Sequence, residues 1–230
     1  MIVATGRMYR SVRPYVVDQA GILDPVVCYQ GAAVVDPVSG TFLLHEPIPL
    51  ELGREAVAFL EDAGFPPNCY VDDELVVAHH TPYSKAYATF QHLPVREVRD
   101  LLGWLSEPPT KLVAVGDPAD LAALRERLLA HFGDRLFITT SLPHLLELGR
   151  AGVSKGSGLA FVAARLGFSV EKTVAFGDGE NDVELLECAG FGVAIERAHP
   201  RLQEQADWIC PGPDEEGVAS VLEAFLHSTA

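Results

Sequence analysis

The sequence predicts an α/β fold in which a parallel sheet covered by helices is interrupted by an α+β segment. Three observations predict it. Residues 156–227 alternate helix-like and strand-like stretches, the pattern of a parallel sheet with both faces covered. The middle third instead carries neighbouring short strands with antiparallel signals. The 230 residues are 48% apolar and 21% charged, which is globular composition, and they show no internal repeat and no low-complexity tract.

The elements follow from the chain in order. Ile2-Val3-Ala4 is a short apolar strand ending at Thr5-Gly6-Arg7. A helical stretch over 8–20 closes at Gly21, and Pro14 inside it predicts a late start or a kink. Residues 25–29 are apolar and strand-like. Residues 32–35 and 41–45 flank Asp36-Pro37-Val38-Ser39-Gly40, which has the residues of a hairpin turn. A helix over 50–63 ends at Gly64, and strands follow over 68–72 and 74–79. Helices are expected over 82–91 and 96–105, a strand over 111–115, a helix over 117–131 and a strand over 135–140. The helix over 156–166 places Leu159, Val162, Ala163 and Leu166 on one face and stops at Gly167. Strands over 173–176, 191–195 and 207–210 alternate with helices over 180–189 and 217–227, the last with Val218, Val221, Leu222 and Phe225 inward.

Charge narrows the function. Seventeen basic and 32 acidic residues give a net charge of −15. That field repels nucleic acid and anionic membrane, and no run of Lys or Arg overrides it. An anionic substrate must be met by a few placed cations or by a metal. Cys28, Cys69, Cys188 and Cys210 form no C-x-x-C pair, so they read as buried thiols of a reducing compartment. No apolar stretch is long enough for a membrane span and no signal peptide is recognised, so the expectation is a cytoplasmic protein.

Ligands of parallel sheets bind at the carboxyl ends of strands, and three such ends carry chemistry. At Phe176-Gly177-Asp178-Gly179-Glu180-Asn181-Asp182 a strand runs into three carboxylates within five residues. Like charges this close need a cation or a proton, and hard oxygens at a strand end suit Mg²⁺. Acidic capping of a helix accounts for one or two of these acids but not for the flanking glycines. At Ser154-Lys155-Gly156 a lysine opens a helix, where the helix dipole disfavours a cation, unless the amine is aimed at an anion. At Ala4-Thr5-Gly6-Arg7 a hydroxyl and backbone N–H groups could cradle a phosphate, or the threonine could cap a helix. Gly152-Val153-Ser154-Lys155-Gly156 also matches G-x-S-x-G with Asp178 and His199 following, but three residues separate it from any strand and no H-G-G-G loop is present.

Taken together and in this order, A-T-G-R, S-K-G and F-G-D-G-E-N-D resemble the haloacid dehalogenase superfamily of phosphatases, and most nearly its Cof-type group. The similarity spans nearly the whole chain, including Val27-Cys28-Tyr29-Gln30-Gly31-Ala32. It implies a Rossmann-like parallel-sheet core over 1–33 and 143–230 with an inserted α/β cap of the C2 type over 34–142. It implies phosphate or substrate binding by Thr5, Gly6, Arg7, Lys155 and Asn181, with Thr5 and Lys155 in catalysis, and a Mg²⁺ cofactor at Asp178 and Asp182. The activity implied is Mg²⁺-dependent hydrolysis of the phosphomonoesters of small metabolites, sugar phosphates or similar, through an aspartyl-phosphate.

Two departures stand out. The family's D-x-D-G-[TS] motif, which supplies the nucleophilic aspartate from a central strand before A-T-G-R, is absent from these residues. The expectation is a complete enzyme whose motif lies upstream, or else an inactive relative that binds phosphate and Mg²⁺. Gln30 stands where asparagine is usual in the family, so the substrate contact that the resemblance implies there is not carried over.

Overall fold

The computed structural model describes residues 1–228, with Phe90, Gln91 and Ser228 described as backbone only. Helix α1 (Tyr9–Arg13) gives way at Pro14 to a π-type turn over Pro14–Gln19. Proline has no N–H to donate back and its ring crowds the preceding turn, so the chain widens there. The extended segment before it forms a parallel bridge between Ala4 and Val27, with the Thr5 N–H donating to the Val27 carbonyl and the Gln30 N–H to the Thr5 carbonyl.

Strand β1 (Val26–Cys28) pairs antiparallel with β2 (Ala33–Val35), and β2 with β3 (Phe42–His45), the expected hairpin. Helix α2 (Leu50–Asp62) follows, then β4 (Asn68–Val71) and β5 (Glu74–Val77), joined by Asp72-Asp73 with φ of 51° and 55°. Two consecutive left-handed residues match the twist of a tight hairpin, and aspartate tolerates that region better than most side chains. Helix α3 (Pro82–Gln91) starts on a capping box of Thr81 and Ser84.

The helix expected over 96–105 is not formed as such. Val95–Glu97 is a strand, β6, parallel to β5, and only Leu101–Trp104 is helical, as α4. Strand β7 (Lys111–Val115), helix α5 (Pro118–Phe132) and strand β8 (Leu136–Leu142) match expectation. Strand β9 (Leu145–Arg150), which has no counterpart among the expected elements, pairs with both β7 and β8. The sheet order is β6-β5-β4-β7-β9-β8. The turn between β8 and β9 contains the expected core–insert boundary at 142/143.

The middle of this sheet is buried on both faces, and side-chain alternation shows how. Cys69, Val71, Leu112, Ala114, Leu146 and Leu148 pack into one core with residues of α2, α4 and α5. Tyr70, Leu75, Val113 and Leu145 point the other way, into a core with Met8, Tyr9, Val12, Val26, Cys28 and Tyr29. The continuous run Leu112-Val113-Ala114 is thus a strand with no solvent face.

Contacts divide the chain into two units, Met1–Val153 and Ser154–Ala230. The second unit holds α6 (Lys155–Leu166), β10 (Val174–Gly177), α7 (Val183–Cys188), β11 (Phe191–Ile195), α8 (Pro200–Gln205), β12 (Trp208–Cys210) and α9 (Gly217–Ser228). Strands β10, β11 and β12 are parallel in that order, as expected for the α/β part. Two helix faces differ from expectation. Leu166 is exposed at the last turn of α6, and Leu222 is 43% exposed although Val221 beside it is buried. Helical spacing ranks positions around an axis, but the width of the buried stripe depends on what the helix packs against.

Candidate active site

In the second unit the structure joins Lys155, Asp178 and Asp182. Lys155 is the first residue of α6, whose N-cap Ser154 accepts a hydrogen bond from the Ser157 N–H at 3.2 Å. The Lys155 amine donates to Asp182 Oδ1 at 2.5 Å, and both side chains are buried. The other carboxylate oxygen, Asp182 Oδ2, accepts the N–H groups of Asp178 and Gly179, each at 3.1 Å. Asp182 therefore ties the lysine to the loop at the end of β10.

The flanking glycines follow from this geometry. A Cβ on Gly177 would lie 2.5 Å from Asp182 Cβ, and one on Gly156 would collide with the Glu184 carbonyl of α7. The first clash would push the carboxylate out of its bonds, and the second would push α6 off α7.

Three acids within five residues need charge compensation, and two receive it. Asp182 has Lys155, and Glu180 has Arg201 at 2.9 Å. Asp178 is exposed, and its carboxylate makes no hydrogen bond or ion pair among the described residues. Asn181 shares the turn, its Oδ1 occupying the space that a side chain at Gly179 would need. Mg²⁺ is content with one or two carboxylates and retained waters. A free hard carboxylate at a strand end, beside a second carboxylate already neutralised by lysine, fits that preference. Among the described residues no cluster of three or more His, Cys, Asp or Glu is poised around one point.

Thr5, Gly6 and Arg7 lie in the first unit. Helix α1 begins only at Tyr9, with Met8 as its N-cap, so Thr5 caps no helix. Its hydroxyl oxygen accepts the Arg7 N–H at 3.2 Å, and its carbonyl accepts the Gln30 N–H at 3.1 Å. The Arg7 side chain donates to Ser11 Oγ at 3.0 Å.

Sequence reasoning did not foresee what holds this turn. The Lys111 amine donates to the Gly6 carbonyl at 2.8 Å and to Glu147 Oε2 at 3.0 Å. Gln30 lies against Gly6, where any Cβ would strike it, and donates to Glu147 Oε2 at 3.2 Å. Ser141 donates to the other Glu147 oxygen at 2.5 Å. Lys111 and Glu147 are almost wholly buried. Burial works against the charged Lys111 amine, but Glu147 foremost among its neighbours outweighs it and holds the amine above its usual range. The available signal was Gln30 in place of asparagine together with Lys111 and Glu147 in otherwise apolar strands. Charge inside an apolar run implies a buried partner, but not which one.

The haloacid dehalogenase-like hydrolase family model matches residues 1–222. Pyridoxal phosphate phosphatase YbhA of Escherichia coli is 27% identical over 98% of this chain and 86% of its own length. The crystal structure of TM0651 from Thermotoga maritima is 31% identical, with a TM-score of 0.82 over 97% of this chain and 84% of that one. The subclass IIB sugar phosphatase BT4131 shares the fold at 21% identity, with a TM-score of 0.81 over 97% of this chain and 84% of that one. Some curated matches are local, one covering 42% of the chain and 42% of the relative. The chain belongs to the haloacid dehalogenase-like hydrolase family.

Proposed function

We propose that this protein hydrolyses phosphomonoesters of small metabolites with the help of Mg²⁺. The observation that carries the reading is the Lys155–Asp182 pair, because it sets a buried cation beside an uncompensated carboxylate, Asp178, at the carboxyl end of β10. In this reading the Lys155 amine donates to a phosphoryl oxygen and balances its charge. Asp182 holds that amine and the Asp178–Gly179 backbone in place. Asn181 orients the phosphoryl group. The turn Thr5-Gly6-Arg7 is a phosphate-binding segment in the same reading, with the Thr5 hydroxyl and the Gly6 N–H as its donors. Asp178 would hold Mg²⁺, with Asp182 supporting it through the loop; the ion, when bound, supplies Lewis-acid polarisation of the phosphoryl oxygens. Residues 34–142, which supply five strands of the six-stranded sheet, act as the cap that selects the substrate and excludes water. The partners are small phosphorylated molecules rather than nucleic acid or membrane, in keeping with a net charge of −15. No described helix is long and apolar enough to cross a membrane, and the four cysteines are free, as suits the cytoplasm.

One observation favours a second reading, that of a phosphate- and Mg²⁺-binding module without turnover: no D-x-D-G occurs in these 230 residues. Phosphate release from p-nitrophenyl phosphate separates the two. The enzyme reading expects release by a chain extended upstream to include an in-frame D-x-D-G, with a large loss in Asp178→Asn. Unchanged release in that variant would refute the metal assignment. An upstream sequence without the motif, with phosphate and Mg²⁺ binding retained, would establish the module.

A further inference from the structure

We propose that the first unit carries a binding site for a neutral polyol of single-sugar size at the end of its six-stranded sheet, independent of the phosphatase reading. A cavity of about 270 Å³ opens there between the start of β4, the N-terminus of α3 and the turn from β7 into α5. None of Thr5, Gly6 or Arg7 lines it.

Asn68 is the observation that points to a ligand. It lines the cavity, is 2% exposed, and its side-chain Nδ2 is buried with no hydrogen-bond partner. A buried amide donor without an acceptor has lost its hydration and gained nothing, which native structures rarely tolerate. A ligand acceptor resolves it.

The remaining walls define the ligand. Asp117 and Asp120 line the rim, are exposed, and make no side-chain hydrogen bond or ion pair among the described residues. Asp117 occupies the N-cap position of α5 yet makes no side-chain cap bond, so its acceptor oxygens remain available. No Lys, Arg or His lines the cavity. Two carboxylates without a cation repel a phosphate or any other anion. The ligand must offer one acceptor to Asn68 and donors to the two carboxylates, and hydroxyl groups do both. Phe65 and Tyr83 supply ring surface for its C–H face, with Phe65 seated against Gly116, where a Cβ would come within 3.0 Å of it. The volume is below the roughly 300–1,000 Å³ of drug-sized pockets, which suits one ring.

The test is amide NMR of the whole chain titrated with D-ribose, D-glucose and myo-inositol, with inorganic phosphate in parallel. At least one polyol is expected to shift the non-proline amides of residues 64–68, 81–84 and 116–120 with millimolar affinity. Asn68→Leu and the exposed variant Tyr83→Ala should each weaken that binding about tenfold, equivalent to ~1.4 kcal/mol. Asn68→Leu should leave the melting temperature unchanged or raised, because it removes an unpaired donor, whereas a purely structural Asn68 would lower it. The proposal is overturned if no polyol shifts these amides, if phosphate shifts them in preference, or if Asn68→Leu binds as well as the parent chain.

Discussion

Lys155 Nζ stands 2.5 Å from Asp182 Oδ1 in a place that solvent scarcely reaches, while Asp182 Oδ2 holds the two N–H groups at the end of β10. One carboxylate thus fixes both a cation and a loop. Losing either partner leaves the other charge buried alone.

Asp182→Asn should therefore lower the stability of the whole chain by ~3–5 kcal/mol, the cost of stranding a buried charge. Urea unfolding checks it as a fall in midpoint at constant slope. A loss below ~1 kcal/mol, the range of exposed pairs, would show that water screens the pair.

Gly177→Ala tests the packing that serves this carboxylate. The added methyl would meet Asp182 Cβ at 2.5 Å, so overpacking should cost ~1–3 kcal/mol. Thermal unfolding reads the loss directly. A melting temperature equal to that of the parent would mean that the loop moves aside freely.

The Lys111–Glu147 pair makes a similar demand on the first unit. Lys111→Met should destabilise by ~3–5 kcal/mol, and the double change Lys111→Met with Glu147→Leu should recover most of it. The same single variant frees the Gly6 carbonyl, so exchange of the Arg7 amide, which donates to Thr5 Oγ1, should accelerate. Protection at Arg7 equal to that of the parent would show that the turn holds itself.

His45 predicts a pH dependence. Burial is the leading cause that lowers its pKa from 6.5, with Asp72 and Glu46 opposing, and its Nε2 lies 2.8 Å from Thr110 Oγ1. The unfolded chain then binds a proton at a pH where the folded chain does not. The stabilisation is complete above 6.5 and is lost as the pH falls from there through the lower folded value. His45→Gln should flatten the loss of stability over this acidic window, measured by urea unfolding at several pH values. An unchanged slope would assign the effect to other groups.

Legibility varied by element. The strand and helix over 111–132 and the capped helix α3 were readable because local signals agree: an apolar run, Asp117-Pro118 and Thr81-Pro82. Val95–Glu97 reads as helix from sequence because three residues carry no period of their own, and pairing with β5 makes them a strand. β9 escaped because Glu147 breaks an apolar run, and its charge makes sense only opposite Lys111.

By itself the sequence determined the α/β class and, through the motifs that contain Thr5, Lys155, Asp178, Asn181 and Asp182, the family, because turn glycines, strand runs and clustered acids are local chemistry. Only the tertiary structure decided which of three neighbouring acids would be neutralised, and that Gly6, Gln30, Lys111 and Glu147 would meet. The last pairings join residues 36 to 117 positions apart. A buried charge declares from sequence that it needs a partner, but the partner's identity is settled by strand register and packing.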